Sequence, residues 1–287
     1  MISDLTDQKI KFLEEKSNKA RELVIEMLLQ AGSGHSAGPL GMADIFTTLY
    51  FHAMNHMPQN PEWEERDRLI LSNGHICPIR YTVMALAGYF PIGELKTLRK
   101  FGSRLQGHPH RTALPGLETT SGPLGEGLSQ AAGMAIARDL DNKKYNIYTI
   151  VSDGEFEEGN SWEAMMFIGK NKFQNFIIIM DRNNIQIDGR TEDIMPLEPL
   201  VDKCKAFGLH VIEIDGNNIR EINDAIMEAK AVTEKSTMII ANTIPGKGVD
   251  FMEGNYLWHG KPPNQEEAKN ALQQLKTLGN KIEHSDN

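Results

Sequence analysis

Cysteine is nearly missing from this 287-residue chain: Cys77 and Cys204 are its only two, too few for a disulfide framework. No apolar run approaches the roughly 20 residues that a membrane-spanning helix needs. The N-terminus, MISDLTDQKIKF, lacks the cationic-then-apolar layout of a signal peptide. These shortages make the cytoplasm the expected compartment and leave no role for a membrane. Positive charge is scarce too. The 30 Lys and Arg against 39 Asp and Glu leave a net charge of −9, which argues against nucleic acid or an acidic membrane as partner. Internal repeats and low-complexity tracts are absent. What is present, 40% hydrophobic and 24% charged, is ordinary for a globular protein. The length suffices to bury a large core, as one large α/β domain or two small ones.

Periodicity predicts an amphipathic helix over about 7–31, with Ile10, Leu13, Ala20, Val24, Met27 and Leu28 at helical spacing. A second helix is expected to start near Met42. A third follows the turn Ser72-Asn73-Gly74-His75 and ends near Gly88. The stretch from Gly102 to Gly122 is rich in Gly and Pro, and about twenty residues without periodicity mark a functional loop. Beyond it the pattern reads helix 128–140, strand 147–151, helix 160–172, strand 176–181, strand 209–214, helix 219–233 and strand 237–243. Such alternation implies an α/β fold, a parallel sheet with helices on both faces, whose ligands bind beyond the carboxyl ends of the strands. Asp153, Asn183 and Asp215 all fall at such ends. A terminal helix over 265–278 is expected to fray into a polar end that runs to Asn287.

The chemistry gathers around Asp153-Gly154-Glu155, with Asn183 thirty positions after Asp153. Both ligand candidates follow hydrophobic runs. One carboxylate and one amide oxygen at neighbouring strand ends suit a hard divalent cation that keeps phosphate oxygens as its other ligands. An isolated Asp-Gly is usually a turn. Here the spacing, both strands and a second Asp-Gly at Asp188-Gly189 occur together. Four of the nine histidines sit in Gly-flanked loops: His35 in GSGHSAGPLG, His75 in LSNGH, His108 in GHPH and His259 in WHG. Glycine lets backbone approach a ligand closely. The histidine spacings match neither HExxH nor a zinc finger, which weighs against a metal site built from them. The segment Gly122–Gly127, GPLGEG, is not GxGxxG in register, and the residues before it form no strand run. A dinucleotide reading is therefore weak. Two readings of it stand: a helix start that faces phosphate, and a plain N-cap loop.

The stretch SDGEFEEGNSWEA followed by NFIIIMDRNNIQIDG resembles the thiamine-diphosphate motif of transketolases. The histidine and glycine segments match that family in the same order, from about residue 15 to about residue 265. Ser152 stands where the family has the first Gly of GDG, a small-for-small change that leaves the metal ligand untouched. The resemblance implies a thiamine-diphosphate PP domain over residues 1–287, with an N-terminal helical extension and a C-terminal helix. It implies thiamine diphosphate against Gly122, Pro123, Leu124, Gly125, Gly154 and Glu155. Asp153, the Asn183 side chain and the Ile185 carbonyl would hold Mg²⁺, for which Ca²⁺ or Mn²⁺ could substitute. By the same resemblance His35, His75 and His259 line the channel beside the cofactor, and His108 meets the donor's hydroxyl-bearing carbons. His35 and His259 are then the candidates for moving hydroxyl protons, with His75 and His108 positioning. Glu158 and Glu163 fall where the family places carboxylates at a subunit interface, and close carboxylates share protons. A solvated acidic helix start is the other reading of Glu158. His110 and Arg111 replace an acidic residue that often follows GHP. They are either a pair suited to an anionic substrate or a solvent-facing one.

The activity implied is transfer of a two-carbon ketol unit from a ketose to an aldose. Sugar phosphates are the family default, and a sulfosugar or branched sugar fits as well. After WHGKPPN the sequence holds one more helix and no counterpart of the pyrimidine-binding and C-terminal domains. The likeness is thus to the N-terminal subunit of a split transketolase. A partner chain is expected to supply the activating Glu, in an α2β2 assembly. Two alternatives share the metal motif: a subunit of a deoxyxylulose-phosphate synthase-like or 2-oxo acid dehydrogenase-like enzyme, and a non-catalytic cofactor-binding regulator.

Overall fold

Short runs rich in Ile, Val, Leu and Met become strands that are covered on both sides, except at the half-exposed edge strand over 210–215. The computed structural model describes residues 5–283; the terminal helix expected over 265–278 runs on to Glu283, and the polar end beyond it lies outside the described residues. Helix α1, Asp7–Ala31, opens at Thr6, whose hydroxyl accepts from the Lys9 N–H at 3.2 Å, and stops at Gly32 in the left-handed region. The helix expected near Met42 is two pieces, α2 Ala37–Gly41 and α3 Ala43–Thr48, because Met42 at φ −84° and ψ 1° leaves the helical region. Strand β1, Arg68–Leu71, has no counterpart in the expected pattern. Its apolar run is only Leu69-Ile70-Leu71, and it ends directly in a turn. Helix α4, Cys77–Ala87, follows and stops at Gly88.

Between Leu98 and Gly125 there is neither helix nor strand, as the composition of that segment implies. Buried Leu105, Leu114 and Leu117 nevertheless anchor it to the core. Then come α5 Glu126–Leu140, β2 Ile147–Ser152, α6 Gly159–Asn171 and β3 Phe176–Arg182. A hairpin of β4 Ile185–Gln186 and β5 Gly189–Arg190, with short helices α7 Thr191–Ile194 and α8 Leu200–Ala206, fills a stretch the periodicity leaves blank. The chain continues through β6 His210–Asp215, α9 Ile219–Ala231, β7 Thr237–Asn242 and α10 Gln265–Glu283.

The strands form one parallel sheet in the order β1-β2-β3-β7-β6. Side chains alternate across it. Tyr148, Ile150, Ile177, Ile179 and Ile239 join the core beneath α1 to α4, α9 and α10. Val151, Phe176, Ile178, Met180 and Ile240 join a second core beneath α5, α6 and α8. All seven residues of β3 are buried, which explains why the centre of the sheet reads as an unbroken apolar run. Among the described residues no helix is long and apolar enough to cross a membrane.

Charge is buried too. Arg21 of α1 donates to Asp44 Oδ2 at 2.5 Å and to the Leu40 carbonyl at 3.0 Å. Asn217 brings the β6–α9 turn to the same carboxylate at 2.9 Å. Removing one member strands the other without water. Asp44→Ala is therefore expected to cost about 3–5 kcal/mol, measured as a lowered urea midpoint with an unchanged slope.

Candidate functional site

The parallel pairing of β2 with β3 sets Ser152 opposite Asp181, so the chain leaves both strands at the same edge. Asp153 and Asn183 are the residues that emerge there. Asp153 is fully buried. Its Oδ1 accepts from the Gly154 N–H at 2.8 Å, and its Oδ2 accepts from the Asn184 N–H at 2.6 Å and from Arg182 Nη1 at 3.2 Å. Burial pushes its pKa up to about 6, and Arg182 and these N–H groups oppose the rise. Asn183 donates from Nδ2 to Asp181 Oδ2 at 2.8 Å, which assigns the other end of the amide as oxygen. Asp181 in turn accepts from Thr243 Oγ1 at 2.5 Å, and burial with Asp153 nearby raises it to about 7.

Glu155 does not face outward. It is wholly buried and accepts from the Ser72 hydroxyl, from the Gly125 N–H at 2.6 Å and from the Ser152 N–H at 3.2 Å. The Gly125 N–H expected to lie against phosphate is therefore taken by the protein's own carboxylate. The positive end of α5 finds its anion in Glu155. Gly125, at φ 81°, has no room for a side chain, since a Cβ there would collide with Asn160 Oδ1.

A cavity of about 310 Å³ opens in front of this edge, at the small end of the range of roughly 300–1,000 Å³ usual for small-molecule sites. His35, His75, His108 and His259 line it. Gly122, Leu124, Gly154, Glu158, Asn183 and Ile185 line it as well, so ten of the expected residues meet in one place. Asp153, Glu155 and Gly125 lie behind its wall, and Pro123 is an exposed turn residue. Glu163 is elsewhere, exposed on α6. Asp215 ends the edge strand β6, away from the cavity, and neither His110 nor Arg111 reaches its lining. Glu157 and Asp188 of the acidic and Asp-Gly segments complete the mouth, together with Gln186 and Ile187, which periodicity and motif did not single out. Asp181 was findable in principle, as a carboxylate closing the apolar run of β3. Ser72 and Thr243 carried no sequence signal.

Three of the imidazoles form a triangle, with ring centroids 4.8 Å apart for His35 and His75, 5.4 Å for His35 and His259, and 5.2 Å for His75 and His259. Burial pushes His35 down to about 4, helped by His259, Arg99 and His108. Burial also holds His75 well below its ordinary value and lowers His108 and His259. All four rings are therefore neutral at pH 7, each offering one donor and one acceptor nitrogen. The Nδ1 atoms of His35 and His259 are buried without a hydrogen-bond partner, and so is Glu157 Oε1. Orphaned polar atoms around a cavity call for a polar ligand. Among the described residues no three His, Cys, Asp or Glu side chains form a metal-binding group. The donors at the strand ends are instead a carboxylate, an amide oxygen and a backbone carbonyl, which leave room for ligand oxygens on a hard cation.

Residues 13–282 match the family described as transketolase, thiamine diphosphate binding domain. The chain is 44% identical over 267 residues to the 6-deoxy-6-sulfo-D-fructose transketolase subunit SqwG of a Clostridium species, covering 93% of this chain and 97% of that one. It is 36% identical to an apulose-4-phosphate transketolase subunit from Phocaeicola vulgatus, covering 97% and 99%. A transketolase crystal structure from Campylobacter jejuni superposes with a TM-score of 0.87 at 38% identity, over 93% of this chain and 43% of that one.

The histidine burial has a measurable consequence. A histidine depressed in the folded state takes up protons first in the unfolded state, so its contribution to stability falls as pH drops below its unfolded value. With His35 at about 4, acidification from about pH 7 to about pH 5 costs about 2 kcal/mol through this residue. His35→Gln is expected to lose correspondingly less stability over that range, read from urea midpoints of both proteins at both pH values.

Proposed function

The chain belongs to the transketolase family as its N-terminal, thiamine-diphosphate-binding part, and from that premise we propose that it is one subunit of a two-chain transketolase whose active site a partner completes. The observation that carries this is the single cavity where four neutral histidines face the strand-end donors Asn183 and Ile185. Two relatives matched over nearly their whole length are named as subunits, which supports a partner here. That partner brings the pyrimidine-binding surface, two copies of each chain forming an α2β2 assembly. Glu163, Met166 and Phe167 stand exposed at i, i+3 and i+4 on α6, a surface suited to being covered. Glu163 then meets a carboxylate of the other subunit.

Asp153, Asn183 and the Ile185 carbonyl would hold Mg²⁺, and Gly122, Leu124 and Gly154 would border the diphosphate. Thiamine diphosphate, when bound, supplies the electron sink that lets a carbon–carbon bond beside a ketone break and reform. His35 and His259, neutral and with orphaned Nδ1 atoms, accept a sugar hydroxyl proton in cleavage and return it in addition. His75 and His108 orient the sugar. Asp181 orients Asn183 through the amide and so acts on the metal through its ligand. The donor class is an anionic ketose, in keeping with relatives named for a sulfonated and a branched phosphorylated sugar. Two buried, unpaired cysteines suit a reducing cytoplasm.

Calorimetric titration of thiamine diphosphate with Mg²⁺, into the chain alone and then with its candidate partner, tests the assignment. Affinity is expected to tighten with the partner, and ketol transfer from sulfonated or phosphorylated ketoses to follow, with pyruvate inactive as donor. No binding in a demonstrably formed complex would overturn the reading. Asp181→Asn is expected to weaken Mg²⁺-dependent cofactor binding about 10–100-fold while leaving the chain folded by circular dichroism.

A further inference from the structure

Three of the cavity's histidines are preceded by glycine, in Gly34-His35, Gly74-His75 and Gly107-His108, and one side chain lies near the first and the last of these glycines. A Cβ built on Gly107 would sit 2.7 Å from Arg99 Cζ and from Arg99 Nε, and one on Gly34 would sit 3.7 Å from the same Nε. The guanidinium therefore occupies the space that a side chain at Gly107 would claim and lies in van der Waals reach of Gly34, where Leu28 Cδ2 takes the Cβ space at 2.7 Å. Arg99 reaches this place from a left-handed backbone, φ 59°, with its N–H donating to the Leu105 carbonyl at 2.9 Å. A long side chain holds that conformation only where the surroundings enforce it. The loop beyond is tied down from the other side: Cys77 Sγ donates to the Gly107 carbonyl at 3.2 Å, and the Tyr81 hydroxyl to the Gln106 carbonyl at 2.9 Å. No Asp or Glu among the described residues pairs with Arg99, so its charge is not spent on an ion pair.

We propose that Arg99 is a positioning residue of the histidine cavity, packed tightly against Gly107 and in contact range of Gly34, so that it sets the separation of His35 and His108 and keeps a positive charge beside both rings. This deepens the reading of the cavity as the sugar site. A full positive charge near both imidazoles opposes their protonation and leaves one nitrogen of each ring free to accept from a sugar hydroxyl. The charged or titratable groups facing His35 are His75, His259, His108 and Arg99, and those facing His108 are Arg99, His35 and His75. Arg99 acts on neither His75 nor His259. A planar fork spans two backbone segments in a way that a single ammonium does not.

The test is a histidine-resolved NMR titration of the full chain, with no cofactor and no partner present. In Arg99→Met the midpoints of His35 and His108 are expected to rise by about half a pH unit or more, with His259 unmoved. Arg99→Lys keeps the charge and should restore both midpoints, while the reconstituted enzyme still loses roughly tenfold in kcat because the fork is gone. Gly107→Ala, whose methyl displaces the guanidinium, should raise the His108 midpoint as Arg99→Met does. If no midpoint moves in either variant, or all the histidines move together, the proposal is wrong. Such a result leaves the cofactor assignment standing, because that assignment fails only on binding of thiamine diphosphate.

Discussion

Everything at the site hangs on the register between β2 and β3. With Ser152 opposite Asp181, the two chains leave the sheet side by side, and the Asp153 N–H donates to the Asp181 carbonyl at 3.2 Å before the strands diverge. A slip of one residue would turn Ile178 and Met180 from one core into the other and exchange every neighbour they have. Because both faces of the sheet are covered, that slip has no cheap alternative. The hydrophobic effect that builds the core thus also places a carboxylate next to an amide.

Around that edge the fold accumulates buried negative charge. Asp153, Glu155 and Asp181 are all enclosed, and Arg182 touches only the first of them. What makes this tolerable is directed donation. Three backbone N–H groups, two hydroxyls and the Asn183 amide are aimed at the three carboxyls beside Arg182, apart from the Gly154 N–H of Asp153's own turn. Burial still raises all three pKa values. A divalent cation would lower that electrostatic cost, and the same arrangement orients the oxygens that would hold it.

The opposite wall of the cavity has the reverse character. There the histidines are kept neutral by enclosure, and the nearest fixed charge is a cation, Arg99. The mouth on the hairpin side carries Glu157, Glu158 and Asp188. A ligand entering between them meets hydrogen-bonding rings on one side and carboxylates with metal-type donors on the other. That polarity suits a molecule with a hydroxylated end and an anionic end bound through a cation.

Local chemistry along the chain determined a good deal by itself. The ends of α1 at Thr6 and Gly32, the stop of α4 at Gly88 and the apolar run of β3 follow from caps and covered strands, which depend on neighbours in sequence. So does the place of Asp153 and Asn183 at strand ends. Strand β1 escaped because three apolar residues carry no periodicity, and the hairpin after Asn183 because four residues carry none either. Only the tertiary structure decided that Glu155 turns inward to Ser72 and Gly125, that Asp181 hydrogen-bonds Asn183, and that Arg99 fills the space beside Gly107. Each of those contacts joins residues that approach one another only after the sheet has formed, and hydrogen-bond partners chosen by packing leave no pattern in the chain that precedes it.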